Sequence, residues 1–373
     1  MAEATETYKV GQHPDLPPPR SEVGVIGWVK YNLLSTPFNV IMTLLAIWFL
    51  WSIIPPIFEW AVLDSIWTAE SRKACWAKME VPEEAACWAF IKDRIGLFIY
   101  GFYPADLRWR VNLSFVLMVL AIVSVLYENM PGRKFGLWYA VAFPFITGWL
   151  LVGGLGLTHV DTDQFGGIML TFIIGITGIS FSLPIGILLA LGRRSKLPVI
   201  RVLCVLIIEF IRGVPLIALL FIASTMLNYF LPPGTAFDLL LRVLIMVTVF
   251  SSAYIAEVIR GGLQGIPNGQ YEAADSLGLT YTKAHLLIIL PQALKISIPG
   301  IVNTFIGLYK DTTLVLIIGM LDPLGIGRAA LADAEWAGLA REVYIFVAVF
   351  FFICCFSMSR YSLWLEKRLS TEN

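Results

Sequence analysis

Histidine is rare in this chain, and charge is sparse. His13, His159 and His285 lie far apart, so no metal-ligand spacing forms. Charged residues are 14% of the 373, against roughly 25% in soluble globular proteins. Basic and acidic residues number 27 each, so no net field points to a nucleic-acid partner. No G-x-x-x-x-G-K-[ST] stretch occurs, which excludes a phosphate-cradling P-loop. A cleavable signal peptide is also lacking. Residues 1–36 are polar, with HPDLPPPR at 13–20, and the first long apolar run starts near Asn39. No clustered nucleophile or acid–base set suggests an integral-membrane enzyme.

What the chain has instead is apolar length: 58% of it is hydrophobic. A helix needs about 20 apolar residues to cross a bilayer. Eight runs qualify, near 38–58, 111–127, 137–157, 167–191, 199–230, 239–259, 296–320 and 343–364. The expected fold is all-α integral membrane with about eight transmembrane helices. The fifth run is long enough to contain a break. IGWVKYNLLST at 26–36 reads either as a short surface helix or as a lead-in to the first span.

Short loops set the direction. GRK at 132–134, RRSK at 193–196 and EKR at 366–368 are basic, while 159–167 and 231–238 hold no Lys or Arg. An even number of spans separates the basic loops, so all face the cytoplasm together, with both termini. Residues 59–110 then fall outside. They carry seven basic and eight acidic residues, which reads as a small folded insert. The expected divisions are a cytoplasmic tail at 1–37, extra spans at 38–164 around this insert, and a core at 165–369. Cys75 and Cys87 both lie in the insert, as a bridge or as two thiols. Cys204, Cys354 and Cys355 read as packing residues within the membrane.

Between two spans on the cytoplasmic side stands EAADSLGLTYTKAHLLIILP, residues 272–291. Pro267 suits a first helical position. Ala273, Ala274 and Leu277 form a small apolar stripe. Glu272 complements the helix dipole, and Gly278 fits a helix stop at positive φ. Thr280 can cap a second helix running towards Leu290. The pattern is E-A-A, three residues, G, nine residues, I-x-L-P. Glu272, Ala273, Ala274, Gly278, Ile288, Leu290 and Pro291 fill it.

Here the chain resembles the membrane subunits of bacterial ABC importers, whose cytoplasmic EAA loop docks into an ATPase. ALGRRSKLPVIR (190–201), IIEFIRGVPL (207–216), AYIAEVIRGGLQGIPNGQYEAA (253–274) and LYKDTTL (308–314) are similar to polar-amino-acid permeases of this class. WLLVGGLGL (149–157), the extra spans and the insert resemble the longer permease subunit of alphaproteobacterial general L-amino-acid transporters. Thr313 departs from the serine often found there and keeps the hydroxyl.

The resemblance implies a type I importer core with cytoplasmic coupling helices in the bacterial inner membrane. It assigns ATPase coupling to the loop at 261–291, with Gly269 beside the pattern residues. It also implies a dimer of ATP-binding subunits holding ATP and magnesium, a second permease subunit as a heterodimer partner, and a periplasmic amino-acid-binding protein. This chain itself binds no cofactor. The alternative is an ion-coupled secondary amino-acid transporter, a class marked by inverted repeats. No internal repeat is visible, and that class has no use for an EAA loop.

Four charges fall at membrane depth, where ionisable groups usually have a task or a partner. Glu209 and Arg212 stand at i, i+3, and about 20 Å of helix from Val199 puts Arg212 near mid-membrane. Lys310 and Asp311 are adjacent and point in different directions. Either these groups line an amino-acid pathway, or Glu209 pairs with Arg212 and Lys310 with an acid elsewhere. Glu257 and Arg260 read as a salt bridge beside the loop.

Overall fold

The computed structural model describes residues 24–79, 84–127, 132–226, 229 and 237–370. The polar tail at 1–23 lies outside them, as does most of the 231–238 loop. Among the described residues the elements are helical and no strand forms. The chain divides into two compact units, 1–66 with 76–86, and 67–75 with 87–373.

The first unit holds α1 (Gly24–Asn32) and α2 (Pro37–Phe58). Thr36 caps α2, its hydroxyl accepting from the Asn39 N–H at 3.2 Å. Pro37 fits the first turn, where no donor is needed. Pro55 and Pro56 each remove a donor further on, and the helix continues as a wider π turn over Glu59–Leu63. None of its most apolar stretch is buried by this chain, as for a helix bathed in lipid.

The second unit contains most of the short helix α3 (Arg72–Trp76), then α4 (Trp88–Tyr100), α5 (Arg108–Leu126), α6 (Arg133–Val152) and α7 (Gly167–Arg193). After these come α8 (Pro198–Gly213), α9 (Leu216–Phe221) and α10 (Leu239–Gln264). The chain ends in α11 (Asn268–Ser276), α12 (Tyr281–Ala284), α13 (Leu290–Asp311), α14 (Pro323–Ala330) and α15 (Ala340–Ser370). Among the described residues, seven helices are long and apolar enough to cross a membrane. Counted together as one broken span, Pro198–Gly213 and Leu216–Met226 would make eight; the pair is bent by 103°. Pro215 sits at the bend, where its missing N–H costs no helical bond. The third span lies a turn earlier than the expected 137–157: α6 starts at Arg133 and stops at Val152, before Gly153 and Gly154.

Small residues let the core helices approach. A Cβ on Gly262 would lie 2.1 Å from Ser297 Oγ and 2.5 Å from Ala293 O, so α10 meets α13 only with glycine there. Ala190, Ile255, Ile259, Ile289 and Ala293 form a buried cluster at the end of the bundle carrying 261–291, the loop end. Leu170, Ile174, Val243, Val247 and Leu308 belong to a second one nearer the insert.

The insert is not an independent fold. Cys75 and Cys87 are bonded, with Cα atoms 6.2 Å apart. Trp67–Cys75 and Cys87 onward belong to the second unit, where they grip the segment joining α14 to α15. Arg94 pairs with Asp333 at 2.6 Å. The Cys87 N–H donates to Glu342 Oε1 at 3.0 Å, and the Arg72 N–H to Glu335 O at 2.9 Å. Trp336 is 2% exposed and packs on Phe90, ring centroids 5.6 Å apart. Asp322 caps α14, its Oδ1 accepting from the Gly325 N–H at 2.8 Å. Burial pushes its carboxyl up to about 6, against the pull of the backbone donors.

Candidate functional site

The 261–291 segment folds as two short helices meeting at Gly278. That residue has φ 66°, its N–H bonds Asp275 O at 2.9 Å, and the Leu279 N–H bonds Ala274 O at 3.2 Å. The pair of bonds is a Schellman stop, in which a residue with a Cβ is strained. Nothing lies within 4 Å of the Cβ position, so backbone conformation alone demands the glycine.

Several local details differ from expectation. Pro267 is the N-cap residue, and α11 starts at Asn268. Thr280 occupies the next N-cap with extended backbone, but its hydroxyl makes no capping bond. Glu272 is the fifth residue of α11, beyond the first turn where a dipole acts, so it sits there as an exposed charge. The apolar stripe splits: Ala274 is buried, while Ala273 and Leu277 are exposed, Leu277 by 73%. The second helix does not end at Pro291. A π turn over His285–Ile289 carries it into α13, where Pro291 sits in the first turn and its missing donor is harmless. Ile288 and Leu290 face inward at this joint, Gly269 and Pro291 are exposed.

Side chains that the motif does not contain fix the angle between the helices. Arg194 Nη1 donates to Leu263 O at 3.0 Å and to the Tyr271 hydroxyl at 3.2 Å. The His285 ring lies tilted against Tyr281, centroids 3.9 Å apart, and meets the edge of Tyr271. Gln292 Nε2 donates to Gln270 Oε1 at 3.1 Å and to Ile288 O at 2.9 Å. The basic RRSK run served in sequence to orient the chain and to carry the family resemblance, with no contact to the loop read from it. Its placement next to an aromatic of the loop is the signal that could have marked Arg194.

The charge pairs regroup. Glu209 does not pair with Arg212. Arg193 Nη1 lies 2.7 Å from Glu209 Oε1 and 2.8 Å from Glu257 Oε1. Arg212 Nη1 lies 3.4 Å from Glu257 Oε2, and Arg260 Nε 2.9 Å from the same oxygen. Glu257 is 14% exposed at its side chain and gathers three arginines from α7, α8 and α10. Arg212 thus meets an acid on α10 and not the one on its own helix, and Glu257 is seven residues from Gln264, about 10 Å from the loop end.

Lys310 and Asp311 behave differently. Neither forms an ion pair among the described residues; Lys310 is exposed and Asp311 half-buried. Tyr309 packs on Gly175, eight residues or about 12 Å along α7 from its insert end. The neighbouring charges thus stand well within the bundle, on a face that this chain leaves uncovered. The described residues hold no group of His, Cys, Asp or Glu suited to a metal.

Comparison with known proteins agrees on a single family. Residues 182–371 match the family described as binding-protein-dependent transport system inner membrane component. The chain is 48% identical over 362 residues to the inner membrane amino-acid ABC transporter permease protein YhdY of Escherichia coli, covering 96% of this chain and 97% of that one. It is 45% identical over 425 residues to the glutamate/glutamine/aspartate/asparagine transport system permease protein BztC of Rhodobacter capsulatus, covering 96% of each. Among solved structures, an amino acid ABC transporter with histidines is 30% identical, covers 54% of this chain and 92% of that one, and has a TM-score of 0.48. The chain belongs to the binding-protein-dependent transport system inner membrane component family, as a membrane-spanning ABC permease subunit and not an enzyme.

Proposed function

We propose that this subunit moves L-amino acids inward across the bacterial inner membrane, driven by separate ATP-binding subunits that dock on the 261–291 loop. The helix pair at Gly278 carries the reading. It projects Glu272, Ala273 and Leu277 outward on a support tied to the bundle by Arg194 and Tyr271. ATP and magnesium belong to the docked subunits. A periplasmic binding protein delivers substrate on the insert side, and a related permease subunit completes the pathway. Both termini lie in the cytoplasm, following the basic loops. Lys310 and Asp311 offer opposite charges to a zwitterion on the face this second subunit would cover. Glu209 and Arg212 belong to the charge cluster beside the loop and act on its position.

Gly278→Val tests the coupling assignment. A β-branched residue in the left-handed region costs about 1–2 kcal/mol and turns the second helix away. The variant should insert normally, lose amino-acid uptake and retain less ATPase on co-purification. Glu272→Lys should do the same through charge alone. Full uptake by Gly278→Val with ATPase still bound would sink the assignment.

A further inference from the structure

An elongated cavity of about 330 Å³ lies between α5 and α6 on one side and α7 and α10 on the other. Its wall on α7 runs from Met169 through Phe172, Ile173, Ile176 and Thr177 to Phe181, one face of the helix by its spacing. The twelve helical steps from Met169 to Phe181 span about 18 Å, a little over half of a ~30 Å hydrocarbon core. The deep end is floored by Phe145 and Phe181, whose rings meet edge-on at 5.6 Å. The other end reaches Thr162, whose hydroxyl donates to the Asp238 carboxylate. On α6, no atom lies within 4 Å of a Cβ built on Gly148, and Phe145 beside it is exposed. The slot therefore opens sideways towards the bilayer.

These features choose the occupant. The walls are almost wholly apolar; Ser114 spends its hydroxyl on Arg110 O, and the unpartnered Thr147 hydroxyl offers a single bond, too little for the two charges of an amino acid. A helix of another subunit, ~10–12 Å across with its side chains, would need several times this volume. A hydrocarbon chain has the right polarity and shape, and it is the solvent at this depth. We propose that the slot holds one acyl chain of an outer-leaflet phospholipid, with its head group beside Thr162 and Asp238. The leaflet rests on the orientation proposed above; the site itself does not. Filling the slot replaces contacts that α5 and α6 would otherwise lose against the core.

The test uses the assembled transporter purified in mild detergent. Bound phospholipid per chain is counted by native mass spectrometry and phosphorus assay. The natural chain and Val141→Leu, a lipid-facing change on α6 away from the slot, should each retain about one phospholipid. Gly148→Leu fills the slot from α6 and Thr177→Phe from α7, so failure of one to assemble leaves the other. Either should lower retention at least about fivefold. Adding phosphatidylethanolamine vesicles, whose ammonium suits the Asp238 carboxylate, should raise the thermal midpoint of the natural chain and leave the filled variants unmoved, because a ligand stabilises only the state that binds it. Equal retention by the filled variants overturns the site. Retention of free fatty acid without phosphorus overturns the phospholipid source. ATPase co-purification should be normal in both variants, which separates this result from failure of the coupling loop.

Discussion

The insert end and the loop end of the second unit are held by opposite means. At the insert end a disulfide, a buried tryptophan and buried or half-buried polar pairs lock α4 to the α14–α15 segment. At the loop end a few hydrogen bonds from Arg194, Tyr271 and Gln292 hold two short helices whose outward residues are bare. One end finishes its own packing within the chain. The other keeps a rigid support and leaves its surface for a partner. Proteins commonly place binding residues on segments positioned by a stiff scaffold, and the charge cluster around Glu257 is that scaffold here.

The contrast breaks most sharply at Trp336. Trp336→Ala removes a fully buried aromatic and should cost about 3–5 kcal/mol. Thermal unfolding of the purified complex should fall, and protease should cut near the α14–α15 segment first. ATPase retention at the surviving protein should be unchanged, because the loop end is built separately. Loss of ATPase in step with the folded fraction fits; loss beyond it would dissolve the distinction.

Glu257→Gln strikes the loop end with a smaller effect. It leaves Arg193, Arg212 and Arg260 with Glu209 as the remaining acid of the cluster. Because the arginines are partly exposed, the expected cost is about 2–3 kcal/mol, below the range for a fully buried pair. Uptake should drop more than the amount of assembled complex. Arg212→Gln added to Glu257→Gln should recover part of the stability, since fewer like charges remain. A double variant no better than the single would show that the cluster is not coupled.

The smallest effect belongs to Asp322, and its sign is fixed by linkage. Its folded carboxyl titrates at about 6, above the usual carboxylate range, so the folded protein binds the extra proton between about pH 4 and 6. Stability contributed by this group is present at the acid side of that window and is lost as pH rises through 6. Asp322→Asn should flatten the midpoint-versus-pH curve across that window. A curve of unchanged slope would assign the pH dependence to other groups.

Much of this layout is legible in the residues. Apolar length marked the spans, because twenty residues without charge admit few other structures. The position of Gly278 was legible too, since few residues stop a helix at positive φ. The regrouped charges were not. An i, i+3 spacing joined Glu209 to Arg212 on paper, but α7 offers Arg193 instead. The joining of the second short helix to α13 was hidden for a similar reason. Pro291 reads as a stop until a π turn upstream makes its missing donor irrelevant.

Sequence by itself determined where the seven long apolar helices lie and where the loop breaks. Those properties depend on local composition and on backbone conformations that single residues favour. Tertiary structure alone decided the partners of Glu257, the grip of Arg94 on Asp333, and the slot between the extra spans and the core. Such contacts join residues tens to hundreds of positions apart, and a side chain's spacing along its own helix says nothing about what another helix brings to meet it.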